Sequence, residues 1–231
     1  MNFLSNLGYQ ENIEQEKDVL GGNYKVPESG IYSAIIKHAY TSQSQSGAGA
    51  INFEFDLDGV IFRETLYVTN RQGNNFYEKN GERNYLPSFL NADAIALFAS
   101  TKPLAEQKIQ PKVIKVYNFE QKKEVPTEVP MLVDLLGKEV KLGIIKEKLF
   151  KQVKDNNGNY VDGDEIIKRA SISKVFSAKD NRTTSEVRAG KEAEFYKNWL
   201  DKWEGQIKDS TTTNKSSTPT TAGVKKSGLF G

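Results

Sequence analysis

At 231 residues the chain is long enough for one sizeable globular domain with appendages. Its 32 basic and 30 acidic residues leave a formal charge of only +2, so attraction for a polyanion has to come from local patches and not from the overall field. With no cysteine and a single histidine, His38, the composition excludes disulfides, thiol nucleophiles and the usual Cys/His zinc sites.

The opening MNFLSNLGYQENIEQEKD joins no basic stretch to an apolar one, and no apolar run of about 18 residues follows, so neither export nor a membrane span is expected. Residues 1–25 read as an acidic arm, short of core residues apart from Phe3, Leu4, Leu7 and Tyr9. A globular domain is expected over 26–180. It begins with a turn at Pro27 to Gly30 and a strand of about nine residues. The segment YTSQSQSGAG, 40–49, then reads as a loop without charge. In AINFEFDL, Ile51, Phe53, Phe55 and Leu57 alternate with polar residues, the period-two pattern of a half-buried strand. Asp58-Gly59 is a preferred two-residue hairpin turn because both positions need positive φ. That turn sets Leu57 against Val60, Phe55 against Phe62, Glu54 against Arg63 and Ile51 against Leu66. Glu64 then lands on the apolar face, a misfit that implies a bulge nearby or an edge where the face opens to water.

Residues 70–87, NRQGNNFYEKNGERNYLP, read as a turn-rich insertion that interleaves Arg71, Lys79 and Arg83 with Phe76, Tyr77 and Tyr85. A short helix is predicted across NADAIALFAST with Asn91 as its cap. KVIKVYNF, 112–119, reads as a strand with Lys115, Tyr117 and Phe119 on one face. PMLVDLLGKEV reads as a helical turn ending at Gly137. VKLGIIKEKLFKQV and EIIKRASISKVFSA, joined by DNNGNYVDGDE, form a second, longer hairpin. An amphipathic helix is predicted over 186–207, with Phe195, Trp199 and Trp203 on one stripe beside Tyr196 and Leu200, more readily docked on the domain or on a second copy than left to a ligand. A flexible Thr/Ser-rich tail, 208–231, closes in GLFG.

Most catalytic signatures are absent from the sequence. GAGAIN has Asn52 where a dinucleotide fingerprint needs its third Gly, and a strand follows where that motif requires a helix. DNNGNYVDGDEI imitates a calcium loop through Asp155, Asn157 and Asn159. It fails at Tyr160, where the sharp turn needs Gly, and at Ile166, where the bidentate Glu belongs. No phosphate loop or nucleophile elbow occurs, and a lone histidine makes no triad, so an enzyme is not expected. No cofactor or metal site is expected either.

What recurs is aromatic residues beside cations on strands and turns. Binding single strands without sequence preference asks for a positive groove along the phosphates and ring faces on which bases stack. The candidates are Arg63 with Tyr67; Arg71, Phe76, Tyr77, Arg83 and Tyr85 of the insertion; Lys115 with Tyr117; and Lys146, Lys148 and Phe150. The competing explanation for each is aromatic core and solvated charge.

The run GGNYKVPESGIYSAIIKHAYTSQSQSGAGAINFEFDLDG, followed by LLGKEVKLGIIKEKLFKQVKDNNGNYVDGDEI and ISKVFSA, resembles phage-encoded single-stranded DNA-binding proteins of the kind carried by lytic podoviruses. The resemblance covers roughly residues 20–178, as an order of hairpins and turns. It implies a mainly β fold with accessory helices: an OB-like Greek-key β-barrel that coats single-stranded DNA in phage replication, recombination and repair, in the cytoplasm of the infected host cell, without a cofactor. Such proteins often recruit replication, recombination or transcription proteins through a short peptide ending the tail. Lys225, Lys226, Leu229 and Phe230 would form it here, although many such tails are acidic and end on the aromatic. A homo-oligomer is compatible with this reading. The alternatives are a protein-interaction or transcription-regulating adaptor acting through the tail, and a structural virion component.

Overall fold

A computed structural model describes residues 26–118, 121–155 and 160–212. The expected acidic arm, Phe119, and the tail residues Lys225, Lys226, Leu229 and Phe230 lie outside the described residues.

The fold is mainly β. Strand β1 (Gly30–Gln43) runs antiparallel to β2 (Gly49–Leu57), which turns at Asp58-Gly59 into β3 (Val60–Tyr67). Both turn residues have positive φ, 54° and 86°, as the Asp-Gly pair requires. The predicted register holds pair for pair. A hairpin of β4 (Phe76–Lys79) and β5 (Glu82–Tyr85) follows, then helix α1 (Pro87–Ser100). Strands β6 (Ile109–Asn118) and β7 (Lys123–Leu132) form a second ribbon, which joins the main sheet only where Met131 pairs Tyr40. The long strands β8 (Glu139–Lys154) and β9 (Tyr160–Phe176) make a third. Two short helices, α2 (Thr184–Ala189) and α3 (Glu194–Trp203), and strand β10 (Ile207–Asp209), parallel to β8, complete the described chain.

The central sheet runs β9-β8-β1-β2-β3. It curls around Ala34, Ile36, Phe53, Phe55, Phe62, Leu66, Leu142 and Ile144, and α1 contributes Ala92, Ile95 and Ala96 to the same cluster. Burying Phe55 and Phe62 contributes roughly 1.5–3 kcal/mol each. The sheet does not close into the expected β-barrel, because among the described residues β3 and β9 end it with no backbone ladder between them. Side chains bridge that seam. Glu64 on β3 accepts the Ile172 N–H of β9 at 2.7 Å, and the Asn91 amide of α1 donates to the Ile172 carbonyl at 3.1 Å. Glu64 is therefore on an edge strand, but the face does not open to water there, since its carboxylate is largely buried.

Several boundaries differ from those predicted. The 40–49 loop is only a tight turn over 44–48, because Tyr40 to Gln43 extend β1 and Gly49 begins β2. The insertion is a true hairpin with Asn80 and Gly81 both at positive φ. α1 starts at Pro87, not at an Asn91 cap, since Pro supplies a preset φ and lacks only an N–H that the first turn leaves unbonded. Met131 and Leu132 end a strand, and the helical turn shrinks to Val133–Leu135. β9 begins at Tyr160, which shortens the predicted loop before it. The helix predicted over 186–207 is two helices. Gly190, at φ 62°, stops α2, whose first turn is held by a reciprocal Thr183–Glu186 capping box. The tail boundary at 208 also shifts, since Lys208 and Asp209 belong to β10.

The stripe on α3 docks on the sheet. Trp199 is buried against Phe176, edge to face at 6.5 Å, and its indole N–H donates to Ser173 Oγ at 3.1 Å. Tyr196, Leu200 and Trp203 surround it, whereas Phe195 stays exposed. Gly143 lies beneath this contact, where an added Cβ would stand 3.1 Å from both the Trp199 and Phe176 rings.

Candidate nucleic-acid interface

The outward face of β1, β2 and β3 is built from three cross-strand rows: His38–Glu54–Arg63, Tyr40–Asn52–Thr65 and Ser42–Ala50–Tyr67. Side chains alternate along a strand, so this face requires His38 and Tyr40 to point away from a core that already holds Ile36. A register shift at Lys37, between Ile36 and His38, supplies the extra residue and reverses the alternation. Ala39 then takes the inward position next to Phe53.

The floor is tied together by polar contacts. Arg63 Nε donates to Glu54 Oε2 at 2.6 Å, and His38 Nδ1 lies 3.2 Å from the other carboxylate oxygen. Thr65 Oγ1 donates to the Asn52 carbonyl at 2.8 Å, and the Asn52 amide donates to Ser42 Oγ at 2.7 Å. Tyr40 is drawn into the same field: partial burial and then the Glu54 carboxylate raise its phenol pKa, with Arg63 opposing them.

The β6–β7 ribbon borders this floor. Ile114, Lys115, Val116 and Tyr117 of β6 and Glu124 of β7 close an open cleft of about 310 Å³ over His38, Tyr40, Asn52, Glu54, Arg63 and Thr65. Arg63 keeps an exposed guanidinium end although its Nε is engaged. The cleft thus mixes three cationic or ionisable nitrogen bases, His38, Arg63 and Lys115, with the carboxylates Glu54, Glu64 and Glu124, and adds two phenol rings.

Of the residues predicted from sequence, Arg63, Lys115 and Tyr117 meet in this cleft, although they come from strands about fifty residues apart in sequence. Tyr67 stands one row beyond it on the same face, half exposed. Arg71 follows in the loop after β3. That loop abuts the 44–48 turn: Thr69 Oγ1 accepts the Gly49 N–H at 2.8 Å, and the Arg71 carbonyl lies 3.5 Å from where a Gly47 Cβ would stand. Phe76, Arg83 and Tyr85 share one face of the β4–β5 hairpin, with Arg83 5.0 Å over the Phe76 ring and Tyr85 packed on Phe89. Tyr77 is on its other face. Lys146, Lys148 and Phe150 are not brought to the cleft. They lie on β8 beyond its pairing with β1, where Lys146 is ion-paired with Glu28 and Lys148 meets Asp209 at 3.3 Å.

His38, Tyr40, Asn52, Glu54, Thr65 and Glu124 belong to the cleft and were not among the predicted site residues. The Glu54–Arg63 pair was already implicit in the Asp-Gly register. Tyr40 was hidden by the overlong loop, and His38 by a bulge that has no sequence signature of its own.

A scan against protein-family models finds no match for the chain, and a search of the curated proteins returns no relative.

Proposed function

We propose that the protein binds single-stranded DNA with little sequence preference and keeps the strand open for other enzymes of phage replication, recombination and repair. The observation that carries this reading is the cleft itself, in which an open three-stranded floor and a separate ribbon converge Tyr40, Arg63, Lys115 and Tyr117. Rings with exposed faces let successive bases stack at about 1 to 3 kcal/mol each, and Arg and Lys follow the phosphates. The sheet order β9-β8-β1-β2-β3, with a helix after β3, supports an OB-like Greek-key arrangement left partly open. In that arrangement the face of the second and third strands is the one that takes oligonucleotides. The β4–β5 hairpin repeats the same combination of ring and cation, with Arg83 stacked on Phe76.

Titrating a labelled mixed-sequence oligonucleotide at two salt concentrations, with the corresponding duplex as control, tests the proposal. Affinity for the single strand should exceed that for the duplex and fall with salt. Preference for the duplex, or no binding of either, would remove this function.

A further inference from the structure

The floor of the cleft is not indifferent to the bases that would lie on it. Glu54 stands at the centre of the three-stranded floor, and its two carboxylate oxygens are engaged by Arg63 and His38, which fix its orientation. Each carboxylate oxygen has further lone pairs, so both still accept hydrogen bonds. A phosphate is repelled from this point and from Glu124 opposite, so the sugar-phosphate backbone has to run along the exposed Arg63 guanidinium end and Lys115, with bases turned inward. A base resting on the neighbouring Tyr40 ring then meets Glu54 with its edge.

Resting on the single-stranded DNA reading, we infer that Glu54 is a specificity-determining residue that favours bases carrying an exocyclic amino group, and cytosine over thymine in particular. Cytosine presents the N4 amino donor to the carboxylate, while its N3 and O2 acceptors suit the adjacent guanidinium. Thymine offers one N–H flanked by two carbonyl oxygens, so a carboxylate that accepts from it faces both lone-pair clouds. The two pyrimidines stack with comparable area, which isolates the edge as the source of the difference. The bias is one of base composition, spread along a coated strand, and specifies no sequence.

The test is competitive binding of the full-length protein to oligo-dC and oligo-dT of equal length at a pH where cytosine is neutral. Oligo-dC should bind at least about fivefold more tightly, the low end of the discrimination that one base contact provides. Glu54→Gln should bring the two affinities together, because an amide accepts from cytosine and donates to thymine alike. An oligonucleotide of 2-pyrimidinone, which lacks the 4-amino group, makes the same test without altering the protein, and should bind like oligo-dT. Equal or tighter binding of oligo-dT, or a 2-pyrimidinone strand that binds like oligo-dC, would overturn the role of Glu54 while leaving single-strand binding in place. Failure of both oligonucleotides to bind would overturn the single-strand reading, and this inference with it.

Discussion

Glu64 holds the seam of the sheet with a single buried carboxylate. Burial pushes its pKa up to about 7, against the opposing pull of the Ile172 N–H and the Arg169 charge. A carboxyl whose pKa is higher in the folded than in the unfolded state stabilises the fold while it stays protonated. That contribution is complete below about pH 4.5 and is lost as pH rises through about 7. At about 1.4 kcal/mol per pKa unit the loss is on the order of 3 kcal/mol. Urea unfolding of the wild type should therefore show stability falling between pH 5 and 8, and Glu64→Gln should flatten that slope. A slope that persists in the variant would place its origin elsewhere. Arg63 and Lys148 make a second residue-scale contrast. Arg63→Ala should weaken single-strand binding by about tenfold, as expected for a lost charge-assisted contact. Lys148→Ala, which removes a cation already facing Asp209, should change it less than about twofold. Equal effects in fluorescence titrations would put the binding path on β8 instead. Glu64 was legible in the sequence because it broke a regular alternation. Glu54 was legible as a partner of Arg63, but its place at the centre of a cleft was not, since the ribbon that covers it comes from residues 109–132.

Elements with strong turn chemistry were readable and those with mixed signals were not. Asp58-Gly59 fixed eight cross-strand pairs from β2 to β3. Asn80-Gly81 carries the same chemistry, yet its strands are four residues each and lack a clear apolar alternation. β7 was missed because Pro126 and Pro130 discourage a strand reading. They are tolerated because β7 is bonded mainly to β6, leaving its other side largely unpaired apart from Met131. The predicted continuous helix over 186–207 overlooked Gly190, whose positive φ ends α2. The β6–β7 ribbon touches the main sheet at so few points that its outer part should be separable from stability. Replacing residues 113–128 with an Asn-Gly turn should leave the melting temperature nearly unchanged while weakening single-strand binding by at least about tenfold, given the stacking and phosphate contacts removed. A large drop in melting temperature would show the ribbon to be part of the core. The α3 contact behaves oppositely. Trp199→Ala should cost about 3–5 kcal/mol through the cavity it leaves, and Gly143→Ala should also destabilise by forcing the rings off the sheet.

At the scale of the molecule, charge is balanced almost everywhere it is concentrated. The cleft pairs Arg63 with Glu54, and the β8–β9 ribbon sets Lys148 against Asp209 and Lys151 against Glu165. Binding should then depend on salt only modestly. With about three phosphate contacts from Arg63, Lys115 and Arg71, the slope of log affinity against log salt is expected near −2 for a single strand. A slope several times steeper would mean that cations beyond this cleft, those on the β8–β9 ribbon among them, carry the contact. The near-zero net charge pointed in this direction, and the mainly β class followed from the turns. The seam between β3 and β9 did not, because neither strand records its distant neighbour in its own pattern.

The extra residue at Lys37 makes the binding face a matter of parity. Drawing Lys37 into regular pairing, without the bulge, would restore strict residue-by-residue alternation along β1. His38 and Tyr40 would then turn into the core, with Ala39 and Thr41 on the outside. One bulge therefore separates a polar, ring-bearing floor from a blank one. Deleting Lys37 should instead leave His38 and Tyr40 facing outward, because His38 would then follow the inward Ile36 directly.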